Sequence, residues 1–277
     1  MSFDNKIVWI TGASSGIGRA LAEAFAEDGA HIILSGRRVD ALEGVAESLQ
    51  TESLVLPFDV TDFSALAAHV DTAWAWKGRV DILVNNAGIT QRSLALHTKP
   101  EVYQTMLDVD LLAPIWLTQL NLPKMAEAGG AHIVAISSIA GRIGAPLRTA
   151  YCAAKHGLIG YMDALRAEVS LAHNINVTNV LPGSVATNIS RNALTADGTV
   201  RGASDENIDN GDTPEDCAAH ILQAIRDNVP ETIFAGDFER GFAELRQKDP
   251  DKLFEMIAGL GAQIAAEYEA GDEGKTD

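Results

Sequence analysis

Two side chains four residues apart, Tyr151 and Lys155, have the chemistry to move a proton together. The run 151–172 has the pattern of a long helix, in which residues i and i+4 share one face. A phenol has an ordinary pKa of about 10, too high for efficient proton transfer near neutral pH, and a nearby ammonium favours its ionised form. A lone pair of this kind is usually an ordinary helix surface, so its meaning depends on the residues around it.

A glycine-rich segment near the start of the chain has the composition of a pyrophosphate-binding turn. It joins a predicted strand, 6–10, to a predicted helix, 17–27, and its spacing is Gly-x-x-x-Gly-x-Gly. Small residues let the backbone approach a pyrophosphate, and the free N–H groups of the helix start attract it. The residues are Gly12, Ser14, Ser15, Gly16, Ile17 and Gly18. A plain glycine turn is the alternative interpretation.

Strand-like and helix-like runs alternate from residue 6 to about 235, including a long helix predicted within 100–125. The strands are continuous apolar runs, as expected for strands buried on both faces. This alternation predicts an α/β fold, a single doubly wound, Rossmann-type domain with a parallel seven-stranded sheet and helices on both faces. We expect the domain to span 1–236 and a helical, acidic extension to follow over 237–277.

One connection, about 188–212, is longer than most links between a strand and a helix. It is rich in Ser, Thr, Gly, Asn and Asp. We predict that it is a mobile lid over a substrate pocket. A disordered insertion is the alternative.

The composition excludes several classes of function. The chain has 277 residues and a formal net charge of −17, so it lacks the basic surface of a nucleic-acid binder and is repelled by anionic membranes. Its two cysteines, Cys152 and Cys217, suggest neither a disulfide framework nor a metal site. No run reaches the roughly 20 apolar residues of a transmembrane helix, and no secretory leader is recognisable. We therefore expect no nucleic-acid partner, no membrane span, no bound metal and a cytoplasmic location.

Further motifs follow the glycine-rich segment in a fixed order. Asn-Asn-Ala-Gly at 85–88 closes the predicted fourth strand, Ile-Ser-Ser at 136–138 closes the fifth, and Pro-Gly-Ser-Val-Ala-Thr at 182–187 follows the sixth. Together with the Tyr-x-x-x-Lys pair, they resemble the classical short-chain dehydrogenase/reductase family over nearly the whole chain. Within it, the stretch 141–150 resembles the branch near the dehydrogenase/reductase member 7 proteins and the 11β-hydroxysteroid dehydrogenases, and the stretch 192–198 resembles the former.

The resemblance implies a role for each candidate catalytic residue. Tyr151 would be the acid/base, Lys155 would promote its ionisation, and Ser138, at the family's usual interval before the tyrosine, would hold the substrate oxygen. The family also uses an asparagine in the helix after the fourth strand, whose main chain holds a water that links the lysine to solvent. The matching residue here is Asp110, with Asp108 as the alternative alignment. A backbone role would survive this change, whereas the added carboxylate would compete for the charge of Lys155 and either modify the proton relay or weaken activity.

The end of the second strand bears on the choice of nicotinamide cofactor. NAD enzymes usually place a carboxylate there, whereas this chain has Arg37 and Arg38 and no carboxylate before Asp40. An arginine binds a 2′-phosphate by charge-assisted hydrogen bonds, so the resemblance is to the NADP-preferring branch, with Arg37 as the main contact and Ser14 and Arg38 as helpers. Arginines that only solvate a turn are the alternative. The other residues that the resemblance assigns to NADP(H) are Asp59, Val60, Asn86, Ala87, Gly88, Tyr151, Lys155, Pro182, Gly183, Val185 and Thr187.

We therefore expect an NADP(H)-dependent oxidoreductase that interconverts a carbonyl and a secondary alcohol on a small, mainly apolar substrate. A cofactor-binding sensor or scaffold, with weak or lost turnover because Asp110 replaces the usual asparagine, is the alternative. The glycine spacing and the chain length argue against an epimerase or dehydratase of the extended branch. Small residues along the Tyr151 helix permit close helix packing, and the family often pairs such helices, so we expect a homodimer or homotetramer.

Overall fold

Seven parallel strands form the central sheet of the computed structural model, which describes residues 2–271. The strands are β1 (Ile7–Thr11), β2 (His31–Ser35), β3 (Ser53–Val55), β4 (Ile82–Asn85), β5 (Ala131–Ile136), β6 (Ile175–Pro182) and β7 (Glu231–Phe234). Their order across the sheet is β3-β2-β1-β4-β5-β6-β7, and every neighbouring pair is parallel. The predicted seven-stranded, doubly wound α/β fold is therefore confirmed.

Helices cover both faces of this sheet. In chain order they are α1 (Gly16–Glu27), α2 (Val39–Ser48), α3 (Leu66–Lys77), α4 (Pro100–Leu107), α5 (Ala113–Glu127), α6 (Thr149–His173), α7 (Glu206–Asp209), α8 (Pro214–Arg226), α9 (Asp237–Lys248) and α10 (Pro250–Glu269). One buried cluster joins the sheet to α1, α2 and α8, and another joins its opposite face to α3, α5 and α6. This layering follows from parallel pairing, because each parallel neighbour must be reached by a crossover connection.

Strand β1 shows how the sequence produces a core on two faces. Val8 and Ile10 lie in the cluster with α1, whereas Ile7 and Trp9 lie in the cluster on the opposite face. Successive side chains of a strand point to opposite faces, so a strand buried on both sides must be apolar throughout. Trp9 is fully buried, and its indole N–H donates to Ser35 Oγ at 2.9 Å, which satisfies its one polar atom.

The connection between β4 and β5 differs from the single long helix predicted within 100–125. Helices α4 and α5 are joined by a π-helical turn, Asp108–Leu112, in which Ala113 N donates to Asp108 O five residues earlier. Pro114 has no N–H, so it cannot donate to the carbonyl of Asp110 four residues before it. The wider turn accommodates this proline and places the Asp110 side chain fully inside the protein.

The segment 188–212, predicted to be a lid, is hydrogen-bonded to the loop after β4. Leu194 N donates to Thr90 O at 2.8 Å, and Arg92 N donates to Leu194 O at 2.9 Å. Farther along, the segment contains α7 and, directly before it, the buried Asp205. That this segment moves over a substrate stays a prediction.

Asp205 is the centre of a buried charge network. Arg92 Nε donates to Asp205 Oδ2 at 2.7 Å, Arg201 binds Oδ1, and Arg148 Nη2 lies 3.5 Å from Oδ2. Burial alone would raise the pKa of Asp205, but Arg92 and Arg201 lower it below its ordinary value. The network joins the 188–212 segment to the loop after β4 and to the start of α6.

Helices α9 and α10 are the described part of the predicted extension 237–277, whose last residues, 272–277, lie outside the described residues. Ala243 of α9 and Leu253 of α10 are buried in one cluster with Ile139, which follows β5. The two helices therefore pack against the domain. None of the helices in the described part of the chain has both the length and the apolarity needed to cross a bilayer.

Replacing Asp205 by Asn should lower the free energy of unfolding by about 3–5 kcal/mol, because it leaves the buried Arg92 guanidinium without its counter-charge. Urea titration followed by circular dichroism measures this change. Asp209→Asn is the matched control, since Asp209 lies in the same segment and is exposed. A loss no larger than that of the control would contradict this role for Asp205.

The contribution of Asp205 to the stability of the fold should depend on pH, in a direction set by its lowered pKa. Because the pKa of Asp205 is lowered in the folded chain, its stabilising contribution is complete above the ordinary carboxyl pKa of about 4 and is lost as the pH falls through the lowered value. The difference in stability between wild type and Asp205→Asn should therefore be constant from neutral pH to about pH 5 and shrink in more acid solution. Repeating the urea titrations across this range checks the sign.

Candidate active site

The carboxyl ends of β1, β4, β5 and β6 lie at one edge of the sheet, and the predicted motifs follow these ends. The strand order reverses between β1 and β4, the position at which ligands bind in open α/β sheets. The glycine-rich turn 12–18 follows β1, 86–88 follow β4, 137–138 follow β5, and 183–187 follow β6. The fold therefore brings together motifs that are far apart in the sequence.

A close approach of two backbones explains one glycine of the turn. A Cβ on Gly18 would overlap the carbonyl oxygen of Gly12 and the side-chain amide of Asn86. The same Asn86 Nδ2 donates to the carbonyls of Thr11, at 2.9 Å, and Gly12, at 3.3 Å. Gly18 thus lets the start of α1 lie against the turn, where its free N–H groups are placed to bind a phosphate.

Thr11, which the sequence analysis did not single out, connects the ends of β1 and β4. Its Oγ1 accepts hydrogen bonds from Asn86 N at 3.0 Å and Ala87 N at 3.1 Å, and it donates to Val84 O at 3.3 Å. One buried hydroxyl therefore holds the 86–88 segment beside the glycine-rich turn. A polar residue at the end of an apolar strand, directly before the first glycine, was the available signal.

A cavity of about 390 Å³ lies beside the glycine-rich turn. Gly16 and Thr187 both line it, so the structure brings the first and last of the predicted cofactor motifs together. Ile17 faces the other way and packs against the core cluster of α1, while Val185 is buried in that cluster. Gly16 and Thr187 are therefore the residues of this group that a ligand in the cavity would meet.

The two arginines after β2 have different surroundings. Arg38 Nη2 donates to Ser14 Oγ at 2.9 Å and to Ser15 Oγ at 3.0 Å. Arg37 is 74% exposed, and its Nη1 lies 4.0 Å from Asp59 Oδ2. The structure therefore brings Arg38, the predicted helper, to the glycine-rich turn and places Arg37, the predicted main contact, beside Asp59.

Asp59 and Val60 lie across from these arginines. Thr61 N and Thr61 Oγ1 donate to Asp59 Oδ1 at 2.9 and 2.7 Å. Burial opposes ionisation of this carboxyl, but the hydrogen bonds of Thr61 and the charge of Arg37 outweigh it and lower the pKa of Asp59. Val60 and Ala87 line one small hollow beside β4. That these residues bind the dinucleotide stays a prediction.

Tyr151 and Lys155 lie one turn apart near the start of α6. The Lys155 ammonium nitrogen is 5.6 Å from the centroid of the Tyr151 ring and donates to Ile136 O at 3.1 Å. Lys155 is 4% exposed and Tyr151 is 9% exposed. The cation therefore lies beside the phenol in a site that excludes most water, where charges interact strongly.

The two serines after β5 make different contacts. Ser137 Oγ donates to the main-chain carbonyl of Lys155 at 3.1 Å, which ties the end of β5 to α6. Ser138 Oγ accepts from Ala140 N at 3.1 Å and donates to Pro182 O at 3.3 Å. The turn after β6 is thus in direct contact with Ser138, and Ser137 is engaged within the scaffold.

Asp110, rather than Asp108, meets Lys155. Asp110 is fully buried; its Oδ1 accepts from Ile89 N at 2.9 Å, and its Oδ2 lies 3.4 Å from Lys155 Nζ. Gly88 lies beside both groups, since a Cβ there would be 3.4 Å from Asp110 Oδ1 and 3.5 Å from Lys155 Nζ. Asp108 instead accepts a hydrogen bond from Gln104.

Burial and mutual attraction act on both members of this pair. Burial raises the pKa of Asp110, against the opposing effects of Lys155 and of the Ile89 N–H. Burial would lower the pKa of Lys155, but its electrostatic interactions with Asp110 and Tyr151 more than offset it, so that pKa is raised. Lys155 therefore stays a cation at neutral pH, and its charge is shared between Asp110 and Tyr151.

The remaining surroundings of Tyr151 are apolar. Buried or half-buried side chains form one cluster with it: Ile89, Val102, Tyr103, Met106, Ala140, Ala145, Ala150, Cys152 and Leu194. The start of α6 is also held by Gln91, a fully buried residue whose Oε1 accepts from Ala150 N at 2.9 Å. No signal in the sequence pointed to Gln91, because this contact joins a loop to a distant helix end.

Comparison with known proteins finds relatives over almost the whole chain. A family model described as short chain dehydrogenase matches residues 6–198. The dehydrogenase/reductase SDR family member 7B of Bos taurus is 38% identical over 263 residues, which cover 92% of this chain and 81% of the relative. The dehydrogenase/reductase SDR family protein 7-like of Drosophila melanogaster is 37% identical over 266 residues, which cover 94% and 81%. The resemblance predicted from the motifs is confirmed.

Two solved structures share the fold. A short chain dehydrogenase/reductase from Burkholderia phymatum, in complex with NAD, has a TM-score of 0.82 and 23% identity, and the match covers 91% of this chain and 96% of that one. A short-chain dehydrogenase from Streptomyces avermitilis has a TM-score of 0.73 and 28% identity, with coverage of 97% and 98%. The first of these likenesses supports the fold alone.

Proposed function

The chain belongs to the short-chain dehydrogenase/reductase family of oxidoreductases, and on that premise we propose that it uses NADP(H) to interconvert a carbonyl and a secondary alcohol on a small, mainly apolar substrate. The observation that carries the proposal is the buried Lys155 ammonium 5.6 Å from the Tyr151 ring. This pair lies at the sheet edge where the glycine-rich turn begins.

The residues at this edge fit a dinucleotide. Gly18 allows the start of α1 to lie against the turn, and an N-terminal helix end of this kind binds phosphate. Asp59, Val60 and Ala87 form a wall on the adenosine side of the proposed site. A bound dihydronicotinamide would supply the hydride.

The chain's own residues would manage the proton and the substrate oxygen. In reduction, Tyr151 gives its phenolic proton to the carbonyl oxygen as the carbon receives the hydride, which leaves a phenolate and an alcohol. Lys155 stabilises that phenolate by its charge. Ser138 would turn its hydroxyl from Pro182 O towards the substrate oxygen and hold it by a hydrogen bond. Oxidation of the alcohol uses the same steps in reverse.

The preference for NADP(H) is supported by Arg37 and Arg38. Arg38 is hydrogen-bonded to Ser14 and Ser15 of the glycine-rich turn, and Arg37, the residue before it, is exposed and lies beside Asp59. A 2′-phosphate would gain charge-assisted hydrogen bonds from either guanidinium. The side chains clustered around Tyr151 are apolar, which favours an apolar substrate because small-molecule sites are lined mainly by side chains that match the ligand.

A second candidate function is a cofactor-binding sensor with weak turnover. The observation that favours it is the Asp110 carboxylate, 3.4 Å from Lys155 Nζ. A carboxylate there partly neutralises the positive charge of Lys155, which would otherwise stabilise a Tyr151 phenolate. An assay of steroid, retinoid, sugar and acyl carbonyls with both cofactors separates the candidates, because a sensor binds NADPH and oxidises little or none of it.

Tyr151→Phe should reduce the turnover of the best carbonyl in that panel by about 100-fold or more, because the proton donor is lost. NADPH binding, followed by its fluorescence, should be unchanged. Tyr161→Phe is the matched control, since Tyr161 lies on the same helix and its hydroxyl accepts a hydrogen bond from Gln119 of α5. Full activity of Tyr151→Phe would reject this residue as the acid.

Arg37→Ala and Arg38→Ala should each weaken NADPH binding by about 10- to 100-fold, the equivalent of one charge-assisted hydrogen bond. NADH lacks the 2′-phosphate, so its dissociation constant should change far less. Arg226→Ala serves as control because Arg226 pairs with Asp28, which follows the far end of α1 from the glycine-rich turn. Equal losses for NADH and NADPH would reject the proposed cofactor preference.

Asp110→Asn should raise the turnover of alcohol oxidation by about tenfold, which corresponds to roughly 1.4 kcal/mol of the activation barrier. The reason is that the Lys155 charge then acts on Tyr151 alone. Initial rates with NADP⁺ across a range of pH measure this, and Asp108→Asn is the neighbouring control. If both wild type and Asp110→Asn bind NADPH but neither turns over, the sensor is favoured and this explanation of its inactivity fails.

A further inference from the structure

Helix α9, in the predicted extension, reaches the turn that follows β6 through one side chain. Glu239 Oε2 accepts a hydrogen bond from Ser184 N at 3.1 Å, and Glu239 Oε1 accepts one from Ser184 Oγ at 3.0 Å. Both carboxylate oxygens are therefore used by a single residue of the 182–187 turn. Hydrogen bonds to an ionised acceptor are about twice as strong as neutral ones.

The glycine of this turn is required by the same contact. A Cβ on Gly183 would overlap Glu239 Oε2 and lie 2.8 Å from the Ala235 side chain. Gly183 N also donates to Phe234 O, at 2.8 Å. The turn therefore lies directly against α9 and the end of β7, and only a residue without a side chain fits between them.

The opposite side of the turn meets a candidate catalytic residue. Ser138 Oγ donates to Pro182 O at 3.3 Å, so Ser138 and Glu239 hold two residues of one short segment, on either side of Gly183. Val185 and Thr187, both assigned to the cofactor by the family resemblance, follow directly in the same segment. A displacement of the turn would therefore move Ser138 and the proposed cofactor-binding residues of the turn at the same time.

Helix α9 is itself fixed, so Glu239 is held in place. Arg240 Nε donates to Ala235 O at 2.8 Å, and Arg240 Nη2 donates to Ile233 O at 2.7 Å, which anchors the helix start to β7. Farther along α9, Ala243 is buried in one cluster with Ile139, the residue directly after Ser138. The extension thus supports both segments that carry the candidate site, the one after β5 and the one after β6.

We propose that Glu239 is a positioning residue, which holds the 182–187 turn, and through it Ser138, in the geometry required for cofactor binding and hydride transfer. The inference rests on the proposed function, because it assigns the extension a part in the same site. Positioning by rigid neighbours is expected to matter here, since a misplacement of about 1 Å can cost about 100-fold in rate.

The experiment compares variants of Glu239 in the full chain, with NADPH itself as the probe. Glu239→Ala and Glu239→Asp, the latter too short to reach Ser184, should each weaken NADPH binding and lower turnover of the best panel carbonyl by about tenfold or more. Glu239→Gln keeps an acceptor for Ser184 N and should retain most of both. Glu244→Ala is the matched control, because Glu244 is exposed on the same helix and pairs with Lys248.

A double-mutant cycle ties the effect to the contact. Ser184→Ala removes the hydroxyl and keeps the N–H, so it should have a smaller effect than Glu239→Ala, and the double variant should be no worse than Glu239→Ala alone. Melting temperatures are measured in parallel. A lower melting temperature with unchanged NADPH affinity and unchanged turnover would show a structural role only and overturn the proposal.

The two proposals fail in different ways. If wild type binds NADPH and both Glu239→Ala and Glu239→Asp match it in NADPH affinity and in turnover, only the positioning role is rejected. If wild type binds neither NADPH nor NADH, the proposed function is rejected and the role of Glu239 with it. If Glu239→Ala does not fold, the contrast between Glu239→Gln and Glu239→Asp decides, and equal behaviour of those two variants rejects the role.

Discussion

A buried ammonium must find partners, and Lys155 finds them in three different elements. The end of β5 supplies the carbonyl of Ile136, the π-helical turn supplies the carboxylate of Asp110, and α6 supplies the ring of Tyr151 one turn away. Moving β5 or the π-helical turn would take one of these partners from a charge in a site with little water, where a fully unpaired charge costs several kcal/mol. The same cation thus fixes how β5, α6 and the π-helical turn pack and gives the candidate site its electrostatic character.

Compared with the asparagine that the family usually has at this position, the Asp110 carboxylate changes the charge of the site more than its shape. Its main-chain carbonyl has no helical partner at Pro114, so a backbone role like that of the family's asparagine is compatible with this turn. Its Oδ1 accepts from Ile89 N, as an asparagine oxygen could, and Oδ2 stands where an amide nitrogen would face Lys155. An asparagine would have nearly the same shape at this position, so the two residues differ mainly in how the charge of Lys155 is divided.

Much of the molecule could be predicted because its signals are local. The alternation of apolar strands and amphipathic helices predicted the sheet and its two helical layers, and the spacing of Tyr151 and Lys155 required only helix geometry. The π-helical turn was missed because the helical pattern continues through it and Pro114 was its one local sign. Two contacts could not be predicted from the sequence: that of Glu239 with the turn after β6, and that of Arg38 with Ser14. Each depends on how separate segments pack and on which rotamer a side chain adopts, and no motif links those segments.

The overall charge of the chain makes its few cations at the site more important. A protein of net charge −17 and an anionic dinucleotide, the proposed ligand, repel each other at long range. At physiological ionic strength the Debye length is about 8 Å, so groups in contact with the ligand outweigh the distant acidic surface. Arg38, hydrogen-bonded to Ser14, and the N-terminal end of α1 both lie at the glycine-rich turn, where we propose that the dinucleotide binds. In that proposal the acidic surface would act mainly on the rate of encounter, while the affinity would depend on a small set of positive groups at one edge of the sheet.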